Sequence, residues 1–232
     1  MINNPFDLKS KKILILGGFG LIGNALLNQL IGFKSKLTVI DIKKNINKKN
    51  KEKYNYIYFD CTDFINFESN FIKILNSSKP DVFINCSYPF TKSWKDNTFE
   101  KIKYEYFSEN INSQMNTAIW LTHLAAKYMK NFKIKGSIIN IGSIYGIKAQ
   151  DKNLYNNKFK EMNFTYSVIK GSLTNFTRQA AAYYGQYDIR INNVIAGGIK
   201  GHVAGKKSVQ DLRFIKKYES KTPLKRLGTP KD

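Results

Sequence analysis

The 232-residue chain predicts an α/β fold in which helices cover both faces of a doubly wound parallel sheet. Three observations carry that prediction. Short β-branched apolar runs alternate with stretches of helical periodicity from one end to the other. A cluster of glycines, "LGGFGLIGNALLNQL" at 16–30, stands between the first apolar run and the first helical stretch. The second apolar run ends on an acidic residue, Asp41.

The elements follow in order. Lys12–Leu16 is a buried strand by length and β-branching, and Ala25, Leu26, Leu27, Leu30 and Ile31 recur at helical spacing after the glycines. Leu37–Ile40 is the second strand. Residues 43–53 are a Lys/Asn-rich exposed connection. Tyr54–Phe59 is the third strand, ending on Asp60, and Phe64, Phe67, Phe71 and Leu75 trace a helix face. Val82–Ile84 is the fourth strand and runs into Asn85-Cys86-Ser87. A long helix spans about 103–131, Ser137–Ile141 is the fifth strand, a helix covers about 165–184, and Ile189–Ile195 is the sixth strand. A short helix is expected near 208–217. No linker or repeat breaks this pattern, so residues 1–232 read as one domain.

Composition excludes several classes. Hydrophobic residues make up 42%, which argues against disorder. Two cysteines, Cys61 and Cys86, are no disulfide framework, and no Cys/His cluster suggests a metal. The N-terminal residues lack a signal-peptide core, and the longest apolar run is too short to span a bilayer. A soluble, cytoplasmic protein without a membrane partner is expected. Lys+Arg 38 against Asp+Glu 17 gives a net charge of +21. The lysines are scattered, dense only at 43–53 and 206–217, and no Arg/aromatic interleaving marks a nucleic-acid groove. The charge reads mainly as compositional bias, with an anionic, phosphorylated or nucleotide-linked substrate as the functional alternative.

Gly17, Gly20 and Gly23 recur every three residues, and Gly18, Gly20 and Gly23 also satisfy G-x-G-x-x-G. Alone this pattern is weak. Between a strand and a helix it makes a phosphate cradle, because glycines let the backbone approach a pyrophosphate at a helix N-terminus. Gly17, Gly18, Phe19, Gly20, Leu21, Ile22 and Gly23 are the candidate cradle. Asp41 follows Gly23 by 18 residues, close to the ~20 expected of a ribose-binding carboxylate. A plain glycine turn with a loop-capping Asp is the alternative.

The order of further motifs resembles the short-chain dehydrogenases/reductases, from about residue 10 to the end of the chain. Ser143 follows the fifth strand, Asn85-Cys86-Ser87 stands where that family usually has N-A-G, and Tyr166-Ser167-Val168-Ile169-Lys170 is Y-x-x-x-K. "NCSYPF" (85–90), "FSENIN" (107–112), "INIGSIYG" (139–146) and "AGGI" (196–199) further resemble flagellin-modification or nonulosonic-acid-pathway oxidoreductases. The resemblance implies a Rossmann-like sheet, an NAD(P) cofactor and a homodimer or homotetramer paired through its long helices. It also implies hydride transfer between nicotinamide and a secondary alcohol or ketone, on a sugar or sugar nucleotide. It adds Asp60, Cys61, Asn85, Cys86, Ser87, Gly197 and Ile199 to the cofactor contacts. Asp41 would repel a 2′-phosphate, which favours NAD over NADP, although Lys43 and Lys44 blunt that preference.

Within the resemblance, Tyr166 is the proton-transfer group, Lys170 lowers its pKa and bonds the nicotinamide ribose, and Ser143 holds the substrate oxygen. Tyr166 and Lys170 are i and i+4 on one helix and share a face. The helix asparagine of the family falls on Gln114 by counting and on Asn112 by local likeness; Asn112 is taken as the fourth catalytic residue.

Other features depart from the family. Ser143 and Tyr166 are 23 positions apart, which leaves a polar loop at 147–163 read as a substrate loop. Ala196 replaces the family's proline, and Gly201 its threonine. His123 reads as a packed residue, and His202 has no assigned role. The chain also lacks the helix and glycine-rich strand that end the family domain. That predicts a truncated form, six strands instead of seven, with the sixth an unpaired edge. A catalytically silent dinucleotide-binding protein is the alternative function, favoured by the altered 196–201 stretch.

Overall fold

The computed structural model describes residues 7–43, 52–154, 162–201 and 210–232. Most of the 43–53 connection, Lys44, the middle of the 147–163 loop and His202 lie outside the described residues.

The six strands are β1 (Lys12–Leu16), β2 (Lys36–Asp41), β3 (Asn55–Tyr58), β4 (Val82–Asn85), β5 (Ser137–Ile141) and β6 (Arg190–Val194). The helices are α1 (Leu21–Leu30), α2 (Phe67–Ser78), α3 (Tyr104–Asn110), α4 (Thr117–Asn131), α5 (Phe164–Tyr184) and α6 (Leu212–Lys221). The sheet order is β3-β2-β1-β4-β5-β6. β1 pairs in parallel with both β2 and β4, so the strand order reverses between β1 and β4. Ligands of such sheets bind beyond the carboxyl ends of the strands at that reversal.

The chain divides into two compact units. The first comprises Met1–Tyr88, Trp120–Asn140 and Thr177–Asn192; the second comprises Pro89–Ile119, Ile141–Phe176 and Asn193–Asp232. The first holds the sheet, apart from the last residue of β5 and the last two of β6.

β1 is apolar on both faces, as a central parallel strand must be. Ile13 and Ile15 join Leu27, Leu30, Leu37, Val39 and Ile84 in one core cluster. Leu14 and Phe83 are also fully buried, with Phe83 against Phe71 of α2 at 5.4 Å between ring centroids. Phe59 completes that stack at 5.7 Å from Phe71.

Several expected boundaries move. β3 is shorter than Tyr54–Phe59. α2 starts at Phe67, because Asp63 and Asn66 form a capped turn that leaves Phe64 outside the helix and exposed. The helix expected over 103–131 is not uniform: α3 passes through a π-helical turn, Ile111–Asn116, before α4. The last helix lies at Leu212–Lys221 rather than 208–217, because Asp211 accepts hydrogen bonds from the amides of Arg213 and Phe214 and fixes its start.

Candidate active site

The glycine turn belongs to the first unit. Gly17 sits in the left-handed region at φ +73°, and a Cβ there would lie 2.9 Å from the Cys86 carbonyl. Its amide donates to Ile40 O at 2.9 Å. A Cβ on Gly23 would lie 2.2 Å from Gly17 O, so α1 packs on the turn only with glycine there. Gly20 caps α1 in an extended conformation, with no side-chain oxygen bonding the first-turn amides. Those amides carry the helix's partial positive charge, the donor set a phosphate needs.

Asp41 closes β2 and is 7% exposed. Its Oδ2 accepts the Phe19 amide at 2.9 Å and its Oδ1 the Lys43 amide at 3.0 Å. Lys43 Nζ donates to Phe19 O at 2.5 Å, and the Phe19 ring lies 5.5 Å from Tyr56. The carboxylate therefore ties the glycine turn to the end of β2. Asn85 Oδ1 accepts from Ser87 N and Oγ, which turns the chain after β4. Asp60 Oδ1 is likewise held by Thr62 N and Oγ1. Cys61 is buried, which pushes its thiol up to about 12. Cys86 packs against the β1–α1 core.

The Ser-Tyr-Lys set belongs to the second unit. Ser143 caps the single 3-10 turn Ile144–Gly146, its Oγ accepting from Tyr145 N at 3.2 Å. Asn163 caps α5: its Oδ1 accepts the Tyr166 amide at 2.7 Å. The Ser143 side chain is near enough to the Tyr166 phenol to favour its ionised form. Lys170 is buried, donates to Ile141 O at 2.8 Å, and lies 5.9 Å from the centre of the Tyr166 ring. A Cβ on Gly146 would lie 2.6 Å from Lys170 O, so this glycine lets the serine turn approach α5.

The expected effect of Lys170 on the phenol is not what governs it in the chain alone. Burial, the largest cause, holds Tyr166 above the ordinary tyrosine range, while the Ser143 side chain pulls it down.

Asn112, the expected fourth catalytic residue, is exposed and accepts from Asn116 Nδ2 at 2.8 Å. Gln114 is the buried residue, donating to Pro89 O at 2.9 Å. A π-turn accommodates an extra residue, so the inward positions no longer follow a 3.6 period.

The 196–201 stretch has partners of its own. Gly198 N donates to the Tyr218 hydroxyl at 2.5 Å, and Gly201 N to Gln210 Oε1 at 3.1 Å. Ile199 O accepts from Gln210 Nε2 at 2.8 Å, and Ile199 bridges to Gly228. Gly197 stands beside Tyr218. His123 pairs with the Tyr184 hydroxyl at 3.2 Å and contacts Trp120, a packed residue. Sequence reasoning missed Asn163, Gly146, Trp94, Tyr145 and Tyr218. Only Asn163 carries a readable signal, an Asn three residues before Tyr166 at a helix start.

A strand-order reversal above a glycine turn places the chain among the dinucleotide-binding α/β proteins. Residues 36–232 match the family model described as enoyl-(acyl carrier protein) reductase, and the chain belongs to the short-chain dehydrogenase/reductase family of NAD(P)-dependent oxidoreductases. It is 27% identical to the post-translational flagellin modification protein A of Campylobacter coli, over 91% of this chain and 83% of that protein. It is 28% identical to an acetoacetyl-CoA reductase of Acinetobacter, over 96% of this chain and 86% of that protein. A crystal structure of a short-chain dehydrogenase from Leptospira borgpetersenii with bound NAD+ superposes with a TM-score of 0.83 at 29% identity, covering 99% of this chain and 85% of that one. Among the described residues, no helix is long and apolar enough to cross a membrane.

Proposed function

We propose that the chain is an NAD-dependent dehydrogenase or reductase acting on a secondary alcohol or ketone of a sugar or sugar nucleotide. The observation that carries this reading is the half-buried Tyr166 with the buried Lys170 ammonium 5.9 Å from its ring and the buried Ser143 beside its phenol. The likeness to the flagellin modification protein supports the sugar class.

Gly17, Gly18, Phe19, Gly20, Leu21, Ile22 and Gly23 supply the backbone that would hold the pyrophosphate. Asp41 accepts from the ribose hydroxyls and repels a 2′-phosphate. Asp60, Cys61, Asn85, Cys86, Ser87, Gly197 and Ile199 complete the proposed contacts. Nicotinamide supplies the hydride chemistry. Tyr166 takes the hydroxyl proton of the alcohol during oxidation and returns it to the carbonyl oxygen during reduction. Ser143 donates a hydrogen bond to that oxygen. Lys170 stabilises the phenolate, which offsets the burial that holds the Tyr166 pKa up. A homodimer or homotetramer fits the same reading.

The test is the nicotinamide absorbance change on a panel of sugar nucleotides and sugar phosphates with NAD and NADP. Turnover with NAD preferred is expected. Tight NAD binding without turnover on any sugar or simple ketone would instead support a silent binding protein.

A further inference from the structure

Two aromatic rings meet the ring of the proton-transfer residue, and a third stands behind one of them. Trp94 stands edge-on to Tyr166 at 6.2 Å and 77°, and Tyr145 does the same at 6.4 Å and 74°. Phe90 lies 6.2 Å from Trp94. Trp94 is half-buried, on the 3-10 segment Lys92–Asp96.

That segment is fixed from both ends by polar contacts. Thr91 Oγ1 donates to Asn110 Oδ1 at 2.9 Å, Asn110 Nδ2 donates to Ser93 Oγ at 3.1 Å, and Ser93 Oγ donates to Glu109. Thr91, Ser93 and Asn110 are all buried. On the other side Asn97 O accepts the Phe164 amide at 2.7 Å, at the start of the helix that carries Tyr166. Thr98 bridges to Asn163, the residue that caps the same helix. The segment and Tyr166 therefore share one anchor, and Trp94 is held beside the Tyr166 ring.

We propose that Trp94, with Tyr145, is a specificity-determining wall that receives the C–H face of a sugar ring whose oxidised carbon lies at the Tyr166 hydroxyl. This rests on the reading of Tyr166 as the proton-transfer group. Sugar C–H groups carry partial positive charge, and aromatic faces are negative. The residues flanking Trp94 in sequence are polar: Thr91, Lys92, Ser93, Lys95 and Asp96. Lys92 and Lys95 are exposed, and three residues apart on a 3-10 segment they share one face, a pair of cations suited to a phosphate or nucleotide on the sugar.

The chain has two tryptophans, so Trp120→Phe leaves Trp94 as the sole tryptophan reporter. The NAD-saturated variant is titrated with UDP-N-acetylglucosamine, GDP-mannose, glucose 6-phosphate, acetoacetyl-CoA and cholate. A saturable change in tryptophan emission is expected with one or more of the sugars and with neither of the others. For the responding sugar, Trp94→Ala should weaken binding by about tenfold in calorimetry, and Trp94→Phe by about threefold, with NAD affinity unchanged in both. A response confined to acetoacetyl-CoA or cholate, no response to any sugar, or unaltered sugar affinity in both Trp94 variants overturns the proposal. Tyr166→Phe separates the two readings: the Trp94 response should survive in it while turnover is lost. Turnover retained in Tyr166→Phe counts against the proton-transfer reading, whereas a Trp94 failure with turnover lost counts against the wall alone.

Discussion

The glycine turn of the first unit and the Ser-Tyr-Lys set of the second are built by opposite means. The turn is made of backbone. Its donors are amides, its shape depends on side chains being absent, and Asp41 ties it down through the Phe19 amide at 2.9 Å. The catalytic set is made of side chains, and backbone only supports it: Ile141 O holds Lys170, and Asn163 starts the helix. A backbone site tolerates no added atom. A side-chain site suffers less from an added atom at its periphery than from the loss of its functional groups.

The largest effect should therefore come from adding atoms to the first. Gly17→Val combines a φ of +73° with a contact of 2.9 Å to the Cys86 backbone. NAD affinity should fall by more than about 100-fold, read by calorimetry, with a clear drop in melting temperature.

Lys170→Ala can break the contrast. It is a residue of the second unit with a proposed ribose contact. Turnover should fall by about 100-fold or more, and NAD affinity by about fivefold. If NAD affinity does not move, Lys170 serves only the phenol.

Asp41→Asn sharpens it. The turn keeps a hydrogen-bond acceptor, but the like charge facing a 2′-phosphate is gone. The preference for NAD over NADP should shrink by about tenfold in paired titrations.

Gly146→Ala tests the periphery of the second site. The new Cβ starts 2.6 Å from Lys170 O and must displace the serine turn. Stability should fall by about 1–3 kcal/mol, and kcat severalfold, with NAD affinity intact.

The smallest effect is one of pH. Burial first, then the Lys127 charge, lowers the His123 pKa below its ordinary value, with Glu68 opposing. The unfolded chain takes up that proton at higher pH than the folded chain. The stabilisation is complete above about pH 6.5 and is lost as pH falls below it. His123→Gln should flatten the acid side of a plot of melting temperature against pH.

The same contrast explains what the sequence made legible. A backbone site announces itself: glycines at a fixed spacing between a strand and a helix, with an acid after the next strand, give the turn and Asp41. Ser143, Tyr166 and Lys170 are visible through their order and the i, i+4 spacing. Their supports are not. Gly146 is one glycine among fifteen, and its meaning lies in a contact with Lys170 that no local pattern encodes. Trp94 reaches Tyr166 through hydrogen bonds between segments far apart in the chain. Asn112 and Gln114 could not be ranked from the sequence, because Ile111–Asn116 is π-helical and its inward positions do not follow a 3.6-residue period. The parallel pairing was legible in the alternation of apolar strands with helical stretches, whereas the strand order β3-β2-β1-β4-β5-β6 is a tertiary feature that alternation does not encode.

The separation of nucleotide binding from proton transfer is tested most directly by NAD titration and turnover measured together on Tyr166→Phe. The ring is kept and only the hydroxyl is lost. NAD should bind within about twofold of the unaltered chain, while turnover on the responding substrate falls by at least about 1000-fold. Near-normal turnover in this variant, or loss of NAD binding along with turnover, would contradict the account.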